Sequence, residues 1–109
     1  MANTFKLKTK ANVGVTTVGI YTGPAATTTV VIGITMANTS GSGVNVGVGI
    51  TRAGTTEDVK LLKNAPIPQG SSLEFMAGNK IVLEATDTVT VDSDTNNSVD
   101  AALTIMEIT

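Results

Sequence analysis

The chain has 109 residues, which fits one domain with a modest core; 41% are hydrophobic but only 3% aromatic. It carries 7 Lys and Arg against 9 Asp and Glu, with no His and no Cys. Disulfide and thiol chemistry are excluded, the usual general base and commonest transition-metal ligand are missing, and nucleic acid finds no basic run to bind.

Aromatic poverty leaves Val, Ile, Leu and Ala to build the core, which suits thin layers of strands. Met1-Ala-Asn-Thr-Phe5 leads straight into alternation with no apolar leader, and no apolar run approaches a membrane span. The expectation is a soluble protein made in a cytoplasm, with no membrane or nucleic-acid partner.

In chain order, Phe5 and Leu7 alternate with Lys6, Lys8 and Lys10, predicting a half-buried strand with one apolar and one cationic face. The lysines read either as protection of a solvated edge or as an arm that docks on an acidic partner. Val13, Val15, Val18 and Ile20 predict a second strand whose register changes near Thr16-Thr17, and Tyr21 to Ala25 predicts a turn. Thr28 to Asn38 is the longest predicted strand, and 39–43 a flexible loop. Val44, Val46, Val48 and Ile50 repeat the pattern, so the two strands most simply pair as a hairpin. Gly33, Gly47 and Gly49 lie opposite the aliphatic rows. They mark either strand curvature and close backbone approach or a flat face against which another subunit packs.

After a loop at 52–57, Asp58 to Lys63 reads as one helical turn or a strand, and its flanks favour the strand. Residues 65–91 then organise the chain. Pro66 and Pro68 make a kinked lead-in that cannot be an interior strand. Three short strands follow, around 73–76, 81–84 and 89–91, joined by a Gly78-Asn79 hairpin turn and the turn Ala85 to Thr88. Val99, Ala101, Leu103 and Ile105 close the domain, with Met106 and Ile108 marking a second buried face near the end. Strands about ten residues apart, eight or so in number, predict an all-β, single-domain antiparallel β-sandwich over 1–109, close to a jelly roll.

Chemistry-bearing motifs are weak. Asp92-Ser-Asp-Thr-Asn96 opens like a calcium loop, but Asn97 stands where that loop needs Gly and Leu103 where it needs Glu. A solvated turn is the simpler reading. Asn38-Thr-Ser40 and Asn96-Asn-Ser98 fit the glycosylation pattern but read as loop composition. Ser71-Ser72 has no His partner. No catalytic residue, metal site or cofactor is expected, and the chain does not read as an enzyme.

Several segments together resemble small virion structural proteins of tailed bacteriophages, especially cyanophage and marine types. They are Met1-Ala-Asn-Thr-Phe5, Gly19 to Thr28, Ile34-Thr-Met-Ala-Asn38, Ala65 to Glu74, Gly78 to Glu84, and the closing Met106-Glu-Ile-Thr109. The resemblance implies a place in the particle. A capsid decoration, or cement, protein is the first expectation; a neck, tail or fibre protein that touches the host through loops 39–43, 52–57 and 93–98 is the alternative. The expected partners are the major capsid protein or another virion protein, with Lys6, Lys8 and Lys10 as the candidate contact. A symmetric homo-oligomer, with a trimer as the expected order, would bury the face marked by Gly33, Gly47 and Gly49. Leu83-Glu-Ala-Thr-Asp87 also resembles the Leu-x-x-Gly-Asp turn of jelly-roll proteins such as cupins, with Thr86 in the Gly position and none of the metal-binding His.

Overall fold

A computed structural model describes residues 3–54, 57–75 and 80–109. Nine strands are described: β1 (Asn3–Val13), β2 (Val18–Thr22), β3 (Thr28–Asn38), β4 (Val44–Arg52), β5 (Glu57–Ile67), β6 (Ser72–Phe75), β7 (Ile81–Leu83), β8 (Thr88–Ser93) and β9 (Val99–Ile108). Sheet one runs β1-β9-β3, with β6 and β7 sharing the far side of β3; sheet two runs β2-β8-β4-β5. Every pairing is antiparallel.

The pairs are nested. β1 meets β9, β2 meets β8, β3 meets β6 and β7, and β4 meets β5. The chain is thus one long antiparallel ribbon with its tip between β4 and β5. Rolling the ribbon adds the β3–β9 and β4–β8 pairs. Counted with β6 and β7 as one interrupted strand, this is an eight-stranded jelly roll.

The core lies between the sheets. Val99, Ala101, Leu103 and Ile105 of β9 face Val46, Val48, Val89 and Val91 of sheet two, all buried. Tyr21 is the one buried aromatic side chain among the described residues. β-branched residues pack well on a pleated, half-buried surface, so a core this poor in aromatics still closes.

Four expectations are corrected. β3 and β4 do not form a hairpin, because they lie in opposite sheets. Alternation fixes which residues share a face, not which strand is the neighbour. Loop 39–43 carries the chain across, and Asn38 braces it: the buried amide donates to Ser42 O at 2.8 Å and to Ile67 O at 3.0 Å, and its oxygen accepts from Ser40 N at 2.9 Å. Second, β6 and β7 both pair with β3 and β8 sits in the other sheet, so 65–91 is not a run of three hairpin-joined strands. The Gly78-Asn79 turn lies outside the described residues. Third, Val13 ends β1, and Val15 is exposed in the connection to β2 rather than part of a strand. Fourth, β1 presents the opposite face from that expected. Lys6 pairs with Ile105, Lys8 with Leu103 and Lys10 with Ala101, which puts the lysines on the inward side, while Phe5 and Leu7 point outward at 69% and 64% exposure.

The turn between β7 and β8 carries a local strain. Thr86 has φ of 68°, a left-handed backbone that a β-branched residue rarely adopts. Buried Asp87 holds it there: its carboxylate accepts from Glu84 N at 3.0 Å and Ala53 N at 3.3 Å, and Arg52 Nε lies 2.9 Å away. Thr86→Gly is expected to stabilise the fold by about 0.5–1 kcal/mol, the relief of the left-handed strain less the backbone entropy of glycine. Urea denaturation checks this; a lower midpoint would mean that the Thr86 side chain contributes more than its backbone costs.

Candidate assembly surfaces

At one end of the sandwich a carboxylate is buried among strands of both sheets. Glu107 of β9 is 6% exposed. Tyr21 of β2 donates its hydroxyl to Glu107 Oε2 at 2.6 Å and lies 2.9 Å from Thr29 Oγ1 of β3. Lys6 of β1 reaches Glu107 Oε1 at 2.9 Å. Four strands therefore meet on one charge. Donation from Tyr21 and then from Lys6 holds the Glu107 carboxyl below the usual carboxylate range despite burial, with the charge of Lys8 adding to the effect. Burial, joined by the bond to Glu107, pushes the Tyr21 phenol up to about 12, so it stays a donor. No sequence motif marks this site. A signal was present: Glu107 continues the parity of Val99, Ala101, Leu103 and Ile105, the inward row of β9.

The three lysines of β1 have different positions. Lys6 is committed to Glu107, Lys8 is half-buried and Lys10 is exposed. Inward-pointing charge of this kind discourages another strand from adding to the β1 edge. The outer face of sheet one is different. Phe5, Leu7, Val30, Val82, Met106 and Ile108 share it by register. Glu74 and Asp100 supply charge near its margins, Glu74 beside Thr35 on β6 and Asp100 beside Ala37 at the start of β9.

Gly33, Gly47 and Gly49 do not form one face. Gly33 pairs with Thr104 on the outer face of sheet one, with open space where a Cβ would stand. Gly47 and Gly49 lie on the outer face of sheet two and are closed off by their own chain. A Cβ at Gly47 would meet Asp92 Oδ1 at 2.5 Å, and one at Gly49 would meet Val59 O at 2.9 Å. β5, bulged where it pairs with this part of β4, supplies the close carbonyls of Leu62 and Val59.

The acidic loop residues have local partners. Asp92 Oδ2 accepts from Thr17 Oγ1 at 2.9 Å, with Lys60 Nζ 3.9 Å away, and Asp94 Oδ1 accepts from Asn45 N at 3.1 Å. Asn96 Oδ1 accepts from Val15 N at 3.3 Å. Arg52 also pairs with Glu84. Asn38 of the first glycosylation pattern is buried with its amide engaged. Among the described residues no three His, Cys, Asp or Glu side chains gather as metal ligands.

No protein-family model and no curated protein matches the chain. Solved structures share its fold. A Bacillus chain described as an endospore appendage of a family of disulfide-linked pili is similar, with TM-score 0.59 and 16% identity over 99% of this chain and 87% of that one. A chain of the infectious bursal disease virus particle gives TM-score 0.59 and 12% identity; the match covers 96% of this chain but only 30% of the viral one. A chain of a cyanophage capsid asymmetric unit gives TM-score 0.53 and 16% identity over 95% of this chain and 84% of that chain. At these identities the likeness is one of fold.

Tyr21→Phe is expected to destabilise the protein by about 1–3 kcal/mol, because Glu107 and Thr29 lose a buried partner. A carboxyl with a depressed native pKa contributes stability above the ordinary carboxylate range and loses it as pH falls through the native value. The difference between the natural chain and Tyr21→Phe should therefore shrink on acidification; a difference that does not change with pH would remove Glu107 from the explanation. Separately, Gly49→Ala should cost about 1–3 kcal/mol by overpacking against a backbone carbonyl. Gly33→Ala should be tolerated, and equal losses at the two sites in thermal melts would contradict the contrast between the two faces.

Proposed function

We propose that the chain is a structural protein of a bacteriophage particle, and within it a decoration, or cement, protein that binds the outer shell as an oligomer. The observation that carries the reading is the outward apolar face of sheet one. Phe5, Leu7 and Val82 are 69%, 64% and 61% exposed on it. Exposed apolar side chains grouped on one flat face mark a surface that another protein covers. The fold likeness to a cyanophage capsid chain of similar length supports this reading, as do the phage-like segments of the sequence. In this reading the protein assembles in the host cytoplasm and acts in the virion through surface complementarity.

Lys8 and Lys10 at the β1 edge are the proposed contact with an acidic shell surface. Lys6 belongs to the same row, but its ammonium is already engaged by Glu107. Charge steering by such edge residues is weak at high salt and strong at low salt.

Quantitative mass spectrometry of purified virions tests the assignment. A copy number close to that of the major shell protein is expected. A small fixed number would move the protein to the neck, tail or fibres, and absence from the particle would overturn the proposal. For the lysines, Lys8→Glu with Lys10→Glu should lower capsid occupancy at low ionic strength, with the loss narrowing as salt rises. Unchanged occupancy at low salt would remove this contact. Lys6→Glu is unsuited to the test, since it sets a second carboxylate beside buried Glu107.

A further inference from the structure

We infer that the outer face of sheet one is the contact between two copies of this chain, related by a two-fold axis that lies along the row Leu7–Thr104–Gly33. Register defines the geometry. Leu7 stands opposite Thr104, and Thr104 opposite Gly33, so these three form one line across β1, β9 and β3. Two residues to one side along β1 and β9 lies a bulky row, Phe5–Met106, which continues to Val30 and Val82. Two residues to the other side lies a row of small residues, Thr9–Ala102–Thr35. Beyond it, toward Ala37 and Asp100, the surface is hollowed.

The bulky row and the small row that borders the hollow are thus set equally far from one central line. A half-turn about that line lays the face of one copy on the face of the other. It carries the bulky row of each over the small row at the lip of its partner's hollow and keeps β1 over β1 and β9 over β9. This is the self-complementarity that an isologous interface demands.

Charge and area agree. Neither the central row nor the bulky row carries a charge; the charged groups are Asp100 and Lys10, which line the far part of the hollow, and Glu74, beside Thr35 at the β6 end of the small row, so the contact has an apolar centre with charge at its ends. Strands about 4.8 Å apart and rising about 3.3 Å per residue make the patch about 19 by 27 Å. That projection, about 500 Å², lies just below the roughly 600–1,000 Å² per partner of stable interfaces before side-chain relief is counted. The β1 edge is guarded by its inward lysines, so association by face is favoured over association by edge.

Sedimentation equilibrium of the purified chain over about 1–100 µM tests this without any virion component, so its failure is told apart from failure of the particle assignment. A residue on the axis meets its own copy. Thr104→Lys and Thr104→Glu each set like charges together, while an equimolar mixture sets Lys against Glu. The natural chain should dimerise, each variant should bind itself at least about ten-fold more weakly, and the mixture should recover the dimer. Thr104 is exposed on β9, so the core is untouched, and thermal melts confirm folding. Leu7→Lys and Leu7→Glu give the same readout from β1 should either Thr104 variant fold poorly. A natural chain that stays monomeric or forms trimers, a dimer indifferent to these charges, or a mixture that does not recover would each overturn the inference.

Discussion

A buried carboxylate that must be neutralised sets the geometry of this fold. Glu107 sits on the inward row of β9 and receives a hydroxyl from one sheet and an ammonium from the other. A charge enclosed there without partners would be strongly disfavoured, so its partners are obligatory. Tyr21 satisfies one oxygen and joins β2 to β3 through Thr29. Lys6 satisfies the other, and it does so only if β1 turns its lysines inward. A strand has two faces, so the choice for Lys6 is the choice for the whole strand. Phe5 and Leu7 are outside because Lys6 is inside.

This chain of cause explains which parts of the fold were legible in the sequence. Apolar rows with period two revealed the strands, the turn residues separated them, and the absence of His and Cys narrowed the chemistry. The inward side of β1 was not legible from Phe5 to Lys10 alone. Alternation there is equally compatible with either orientation, and the usual preference for apolar residues inside pointed the wrong way. The deciding residue lies a hundred positions along the chain. The β3–β4 hairpin failed for a related reason: the pattern of each strand was right, but a strand's partner is set by the rolling of the whole ribbon. Asn38 is the local device that sends the chain across, through bonds to Ser42 and Ile67 that no spacing rule announces.

The two outer faces of the sandwich have opposite fates, and glycine marks both. On sheet two, Gly47 and Gly49 let Asp92 and the carbonyl of Val59 approach closely, so the chain covers itself. On sheet one, Gly33 has nothing above it. The same residue type thus records closure on one side and vacancy on the other. Reading the three as a single packing surface merged two environments that only the topology separates. The face left open also carries Phe5, Leu7 and Val82, the three most exposed large apolar side chains among the described residues.

A protein this small buries little surface per residue, and Tyr21 is its one buried aromatic side chain among the described residues. Turning Phe5 and Leu7 inward would have enlarged that core. The chain instead uses the inward positions of its edge strand for lysine stems that stand opposite Leu103 and Ile105. Replacing the Lys6–Glu107 pair by packed apolar residues would cost little in stability by itself. It would remove the reason for β1 to face as it does, and the strand would gain by turning over and taking Phe5 and Leu7 into the core. The ion pair is therefore best understood as a device that fixes orientation. It trades apolar burial within one copy for apolar surface offered to another, which makes folding stability and association two parts of one equilibrium.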